Sequence, residues 1–145
     1  MRMFIAIDPG NKKCGLLLAD IDKGLVLDGR VVAHFAVIES IKHWESEGHL
    51  DGILLGNGTS SKSWYKKLKG LAPIQIVQER GTTLRARSRY WELWPPGIFL
   101  RLLPRGLILP SQCLDAVAAL VLLEDHLNQK LHWPGPPSFK ILPEQ

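Results

Sequence analysis

Apolar and polar positions divide the chain into short runs with clear stops. Phe4 to Asp8 is apolar until it ends on a carboxylate, with Pro9-Gly10 directly after it. A short apolar run bounded by turn residues suits a strand buried on both faces. Cys14 to Ala19 and Leu25 to Ala33 are two further runs of this kind. The links between them, Pro9 to Lys13 and Asp22-Lys23-Gly24, are short and contain glycine, so the three runs read as an antiparallel meander. The period then changes. Val37, Ile38, Ile41 and Trp44 recur at helical spacing and predict a helix from Val37 to Glu47. Ile53 to Gly56 is a fourth strand. Ser60 or Ser61 caps a helix running to Lys69 and stopped by Gly70. Ile74 to Val77 is a fifth strand.

Gly81-Thr82-Thr83 opens a helix from Leu84 to about Trp94, closed by Pro95-Pro96-Gly97. Its expected inward stripe is Leu84, Trp91 and Trp94. The apolar stretch from Ile98 to Pro110 is cut by Pro104 and Gly106, and a last helix runs from Ser111 to about Lys130. The segment from Trp133 to Gln145 holds four of the ten prolines and reads as extended and loosely held. Strands separated by helices pair in parallel through right-handed crossovers. The expected fold is therefore α/β. It has a five-stranded mixed sheet, three antiparallel strands and then two parallel, with helices on both faces. The expected division is a domain over residues 1–130 and a Pro-rich tail over 131–145.

Three carboxylates stand out against this frame. Asp8 and Glu79 each follow a strand predicted for the parallel part of the sheet, where open α/β sheets bind ligands beyond the strands' carboxyl ends. Asp115 shares a helix face with Ala118, Ala119 and Leu122, which is otherwise small and apolar. A carboxylate there calls for a partner. Each acid also has an ordinary reading: Asp8 as a turn opener, and Asp115 as a first-turn residue favoured by the helix dipole. If the three meet, they repel unless cations neutralise them. An all-oxygen set favours Mg²⁺ or Mn²⁺, and a pair of such ions supports phosphodiester hydrolysis.

Composition adds a partner. The net charge of +4 is mild, but Gly56 to Arg105 carries ten lysines and arginines against Glu79 and Glu92. Such segregation points to a polyanion, or else to a solvated lysine face. Arg85, Arg87 and Arg89 are followed by Tyr90, Trp91 and Trp94, a mixture suited to phosphates and unpaired bases unless the aromatics turn into the core. The loop from Gly56 to Ser61 could hold a phosphate on its amides or be an ordinary tight loop. Cys14 and Cys113 lack metal-ligand spacing and need no disulfide, and no apolar run is long enough to span a membrane, so a cytoplasmic protein is expected.

Three motifs bring these residues together. Asp8-Pro9-Gly10, with Lys12-Lys13 and Gly15, resembles the opening D-x-G-x-K-R-x-G of the YqgF (RuvX) family. That family belongs to the RNase H-like superfamily, with the RuvC resolvases. Glu79-Arg80-Gly81-Thr82-Thr83 with Ala86-Arg87 resembles its D-E-R-x-T-T-x-x-A-R segment, and Asp115 to Ala119 with Leu122 resembles its D-x-x-A-A-x-x-[IL] helix. The motifs occur in family order. The resemblance implies an RNase H-like fold and a Mg²⁺- or Mn²⁺-dependent nuclease, with Asp8, Glu79 and Asp115 as metal ligands and catalytic acids. Lys12, Lys13, Arg80, Arg85 and Arg87 would position phosphates, and Thr82 and Thr83 would support the Glu79 loop or contact the backbone. The implied partner is RNA or branched DNA, in precursor-rRNA processing or Holliday-junction resolution. The chain departs from the pattern at Gln78, where the family has Asp, and at Gly56 to Ser60. It also lacks the lysines that precede the helix acid, and Ala118 stands where RuvC-type resolvases have a fourth acid. A catalytically weak nucleic-acid-binding module of the same fold is the alternative. An actin-like ATPase shares the D-x-G hairpin but needs two such domains. The apolar 98–109 stretch is a candidate homodimer patch.

Overall fold

The computed structural model describes residues 1–58, 60–79, 81–95 and 114–134. Five strands form one sheet: β1 (Met3–Pro9), β2 (Lys13–Asp20), β3 (Leu25–Ala33), β4 (Gly52–Gly56) and β5 (Ile74–Val77). Among the described residues four α-helices accompany them: α1 (Val37–Glu47), α2 (Ser61–Leu68), α3 (Thr82–Leu93) and α4 (Leu114–Leu127). The strand order is β3-β2-β1-β4-β5. β2 is antiparallel to both β1 and β3, while β4 is parallel to β1 and β5 parallel to β4. The central strand is β1, and Ile5, Ala6 and Ile7 are fully buried, as a strand covered on both faces requires.

Strand alternation sorts the core into two halves. Ile5, Ile7, Leu16, Leu18, Ile53 and Leu55 face one side, where α1 adds Ile41 and Trp44 and α2 adds Trp64 and Leu68. Ala6, Leu17, Ala19 and Leu54 face the other, under Ala86 and Tyr90 of α3 and the run Ala116 to Leu123 of α4. Ala6 and Ala19 are small because α4 lies low on the sheet. Gly15 is the extreme case, since a β-carbon there would overlap the carbonyl oxygen of Asp115. The sheet order, the strand directions and the helices on both faces match the sequence-based expectation.

Some local expectations do not hold. Leu84 is 74% exposed and takes no part in the inward stripe of α3, which runs through Thr82, Ala86 and Tyr90 instead. One turn into the helix the apolar face has rotated away from it. The segment after α4 is not loose at its start. Asn128 turns left-handed with φ of 52°, which ends the helix short of Lys130. His132 then pairs with Leu25 as an extra bridge on the sheet edge, and Leu131 and Trp133 are buried. Trp133 sits where a side chain on Gly29 would stand, and its ring meets Trp94 edge to face at 5.1 Å. The Ser111 cap, the apolar 98–109 stretch with its suggested homodimer patch, and residues 135–145 lie outside the described residues.

Candidate active site

Backbone pairing brings the first two acids together with the third. Asp8 pairs with Gly15 across the β1–β2 hairpin, and Gly15 is the residue on which the Asp115 backbone rests. The bare glycine thus places the first turn of α4 beside the end of β1. Glu79 arrives from the other side, two residues past β5. It lies over the end of β4 because Gly56 has no side chain: a β-carbon there would overlap Oε1 of Glu79 and stand 3.1 Å from Leu122 Cδ1. The structure therefore gathers Asp8, Glu79 and Asp115 at one edge.

Their titration reflects the crowding. Asp8 is pushed up to about 7, first by burial, then by its hydrogen bond to Glu79 and by the charges of Glu79 and Asp115. Two carboxyl groups can hydrogen-bond only by sharing a proton, so the pair keeps one that an isolated aspartate would have lost. Burial also raises Asp115, and the nearby Lys13 ammonium opposes that shift. Cys14 is buried beside them and raised to about 11, first by burial, with the charges of Asp8 and Asp115 adding to the rise. A thiol so far from ionisation is an inert packing group.

Does a divalent ion suit these residues? Among the described residues no three His, Cys, Asp or Glu side chains stand ready to hold one ion together. The donor chemistry nevertheless fits. Asp8 and Glu79 offer hard carboxylate oxygens, and Asp115 adds its charge to the same field. Oxygens of this kind suit a hard divalent cation, which Asp8 and Glu79 would hold, with Asp115 alongside.

The expected phosphate contacts divide. Lys12 and Lys13 are exposed in the hairpin. Its turn closes through Gly10 N–H donating to the Lys13 carbonyl at 2.9 Å, and His34 Nε2 lies 2.7 Å from the Gly10 carbonyl. Arg80 and the side chain of Thr83 lie outside the described residues. Thr82 is buried at the start of α3, which suits support of the loop and not contact with a ligand. Arg85 departs from its expected role, because its guanidinium is engaged by both oxygens of Asp125 at 2.6 and 2.5 Å. Arg89 is likewise taken by Glu124 in two bonds of 2.9 Å, and it also donates to the Leu131 carbonyl at 3.0 Å. Arg87 differs from both. Its Nε is buried and lacks a hydrogen-bond partner among the described residues. Trp91 and Trp94 pack against the core and do not form a free stacking surface.

The Gly56 loop is an ordinary turn. Asn57 N–H donates to Val77, Gly58 N–H to Gly56 and Ser61 N–H to Gly58, so these amides are occupied. Ser60 stands at the N-cap of α2 without a side-chain capping bond. The Arg89–Glu124 pair escapes sequence inspection, since 35 residues separate its members and no local spacing marks it.

Sheet order and strand directions define a five-stranded mixed α/β sheet with an acidic edge beside its first hairpin. No protein-family model matches the chain, and no curated protein matches it. Among solved structures it is similar to T. thermophilus RuvC in complex with a Holliday junction substrate. The identity is 15% and the TM-score 0.47, over 90% of this chain and 99% of that one. No described helix is long and apolar enough to cross a membrane.

Proposed function

We propose that this protein is a divalent-metal-dependent nuclease of the YqgF/RuvX kind, which hydrolyses phosphodiester bonds in structured RNA or branched DNA in the cytoplasm. The observation that supports it is the meeting of Asp8 and Glu79 with Asp115 close by, in a field that holds Asp8 protonated up to about 7. Evolution rarely retains buried like charges in contact unless a ligand uses them. Mg²⁺ or Mn²⁺, when bound, supplies polarisation of the phosphoryl oxygen and activation of water. Asp8 and Glu79 hold that ion, and Asp115 completes the negative field. Lys12 and Lys13 orient the phosphate strand at the hairpin, and Arg87, whose Nε no acceptor holds among the described residues, is the α3 candidate. Substrates of the two kinds implied by the motif resemblance, precursor rRNA and four-way DNA junctions, are the ones to test.

Cleavage of both substrates with Mg²⁺ or Mn²⁺, with Asp8→Asn alongside, is the direct experiment. Wild type cuts one of them, and Asp8→Asn loses at least ~10²-fold in rate, the scale of removing one element of transition-state electrostatics. Equal rates in the two proteins would sink the mechanism. A second reading, a nucleic-acid-binding module with little catalysis, is favoured by the lack of a ready three-ligand set among the described residues. It predicts salt-sensitive binding and no metal-dependent cutting.

A further inference from the structure

Among the described residues some cations pair with a carboxylate and others, Lys12, Lys13, Lys23 and Lys42 included, do not. Arg2, Arg30, Arg85 and Arg89 each pair with a carboxylate, and Lys130 pairs with Glu92. Lys62, Lys66, Lys67 and Lys69 form no ion pair among the described residues, and all four are exposed. They lie on one short element, α2, and at its end. Lys62, Tyr65, Lys66 and Lys69 are spaced i, i+3, i+4 and i+7, so they form a stripe that flanks the buried Ser61, Trp64 and Leu68. Like charges at i, i+4 destabilise a short helix. Lys62 and Lys66 have this spacing, while the helix dipole favours Lys66 and Lys67 in the last turn.

Its position ties it to the acidic edge. α2 begins five residues after Gly56, the residue that Glu79 overlies. A β-carbon on Gly58, in the intervening loop, would stand 3.6 Å from the Pro9 carbonyl, next to Asp8. Lys67 lies over the Trp64 ring at 4.7 Å. That ring meets His34 edge to face at 5.3 Å, and His34 in turn contacts the Gly10 carbonyl. The Lys67 charge reaches Cys14 beside the acids. Lys67 thus stands on the side of α2 that faces the hairpin carrying Lys12 and Lys13.

We infer that the exposed face of α2 is the docking surface for the phosphate backbone of a double-helical arm flanking the acidic edge. The inference rests on the nuclease reading for the place of the substrate, but not for the binding itself. Eight helical residues span about 12 Å, or about three phosphates of one strand. Lysines on a rigid helix hold a backbone without reading bases, so this surface sets where the arm lies and not which sequence is cut.

The test is the salt dependence of binding to a labelled 24-base-pair DNA duplex without divalent metal. It compares wild type, Lys62→Gln/Lys66→Gln and a charge-matched control, Lys23→Gln/Lys42→Gln. The α2 variant should lower the slope of log K against log salt by about 2 and weaken binding at least tenfold at physiological salt, and the control should leave the slope unchanged. Equal losses in both variants would mean that only net charge matters and would overturn the inference, as would an unchanged slope in the α2 variant. Asp8→Asn, measured in parallel, separates the two readings. A wild type that binds through α2 but cuts nothing keeps this surface and discards the nuclease. One that cuts normally after α2 neutralisation keeps the nuclease and discards the surface.

Discussion

At its carboxyl end α4 sets Glu124 and Asp125 against Arg89 and Arg85; at its amino end it sets Asp115 beside Asp8 and Glu79. The first group is matched charge for charge. Glu124 is buried, yet both its oxygens are bonded to Arg89, and it also accepts from Leu131 N–H at 2.7 Å. The second group is three acids, with Lys13 as the cation acting on Asp115. A groove of about 660 Å³ lies along the matched end, lined by Leu84, Arg89 and Glu124 among others and by none of the three acids. Depth and chemistry are thus separated in this fold. Matched charges build scaffold, while mismatched charges mark where something from outside completes the structure.

That contrast breaks most visibly at Glu124. Glu124→Ala removes the two shortest acceptors of the Arg89 guanidinium, leaving it Glu92 Oε2 at 3.2 Å and the Leu131 carbonyl at 3.0 Å, and frees the Leu131 amide. Truncating one member of a buried pair costs about 3–5 kcal/mol. Urea unfolding should show that loss, and Trp133 fluorescence should shift as the Leu131–Trp133 segment loosens from the sheet edge. A loss under about 1 kcal/mol would place the pair among surface ion pairs and remove the distinction between the two ends of α4.

The mismatched end should respond to pH with its own sign. The folded protein holds the Asp8 proton up to about 7, whereas the unfolded chain releases it near 3.8. Between those values the folded state binds more protons, so stability falls as pH rises through the window and levels off above about 7. One proton limits the slope to ~1.4 kcal/mol per pH unit, and solvent reaching the partly open edge reduces it. Thermal melts from pH 4 to 8 should show the decline in wild type and a flatter profile in Asp8→Asn. Mg²⁺ or Mn²⁺ should restore wild-type stability most at the alkaline side, where the shared proton is gone. A melting temperature that climbs across this window would contradict the assignment of the proton to Asp8.

Legibility in the sequence follows the range of each interaction. β1 to β5 and the four helices are written in local period and punctuation, and their order on the sheet follows from connection lengths. Asp8 and Glu79 were readable as strand-end acids, and Asp115 as an acid on a small-residue helix face. That Gly15 and Gly56 let these acids approach was not readable, because a glycine in a strand carries no mark of what lies above it. The arginines misled for the same reason. Arg85, Arg87 and Arg89 look alike along α3, and only the distant Glu124 and Asp125 separate the engaged from the unengaged. Trp133 was placed in a loose tail by its prolines, although Gly29 and Trp94 provide its seat.

The smallest effect tests that separation within one helix. Arg85 holds Asp125 below the usual carboxylate range through their hydrogen bonds, but both side chains are nearly half exposed. Such a pair contributes under about 1 kcal/mol. Arg85→Ala should therefore barely move the unfolding midpoint, and it should return Asp125 to an ordinary titration, which carboxyl NMR would follow. Because its guanidinium is already occupied, its loss should change nucleic-acid affinity less than twofold. Arg87→Ala, two residues along, should weaken binding by about tenfold and lower the salt slope by about 1, since no acceptor among the described residues holds its Nε. The reverse ranking would mean that the Arg85–Asp125 bridge opens when substrate arrives. The matched end of α4 would then belong to the binding surface, and the division between scaffold and site would have to be drawn elsewhere.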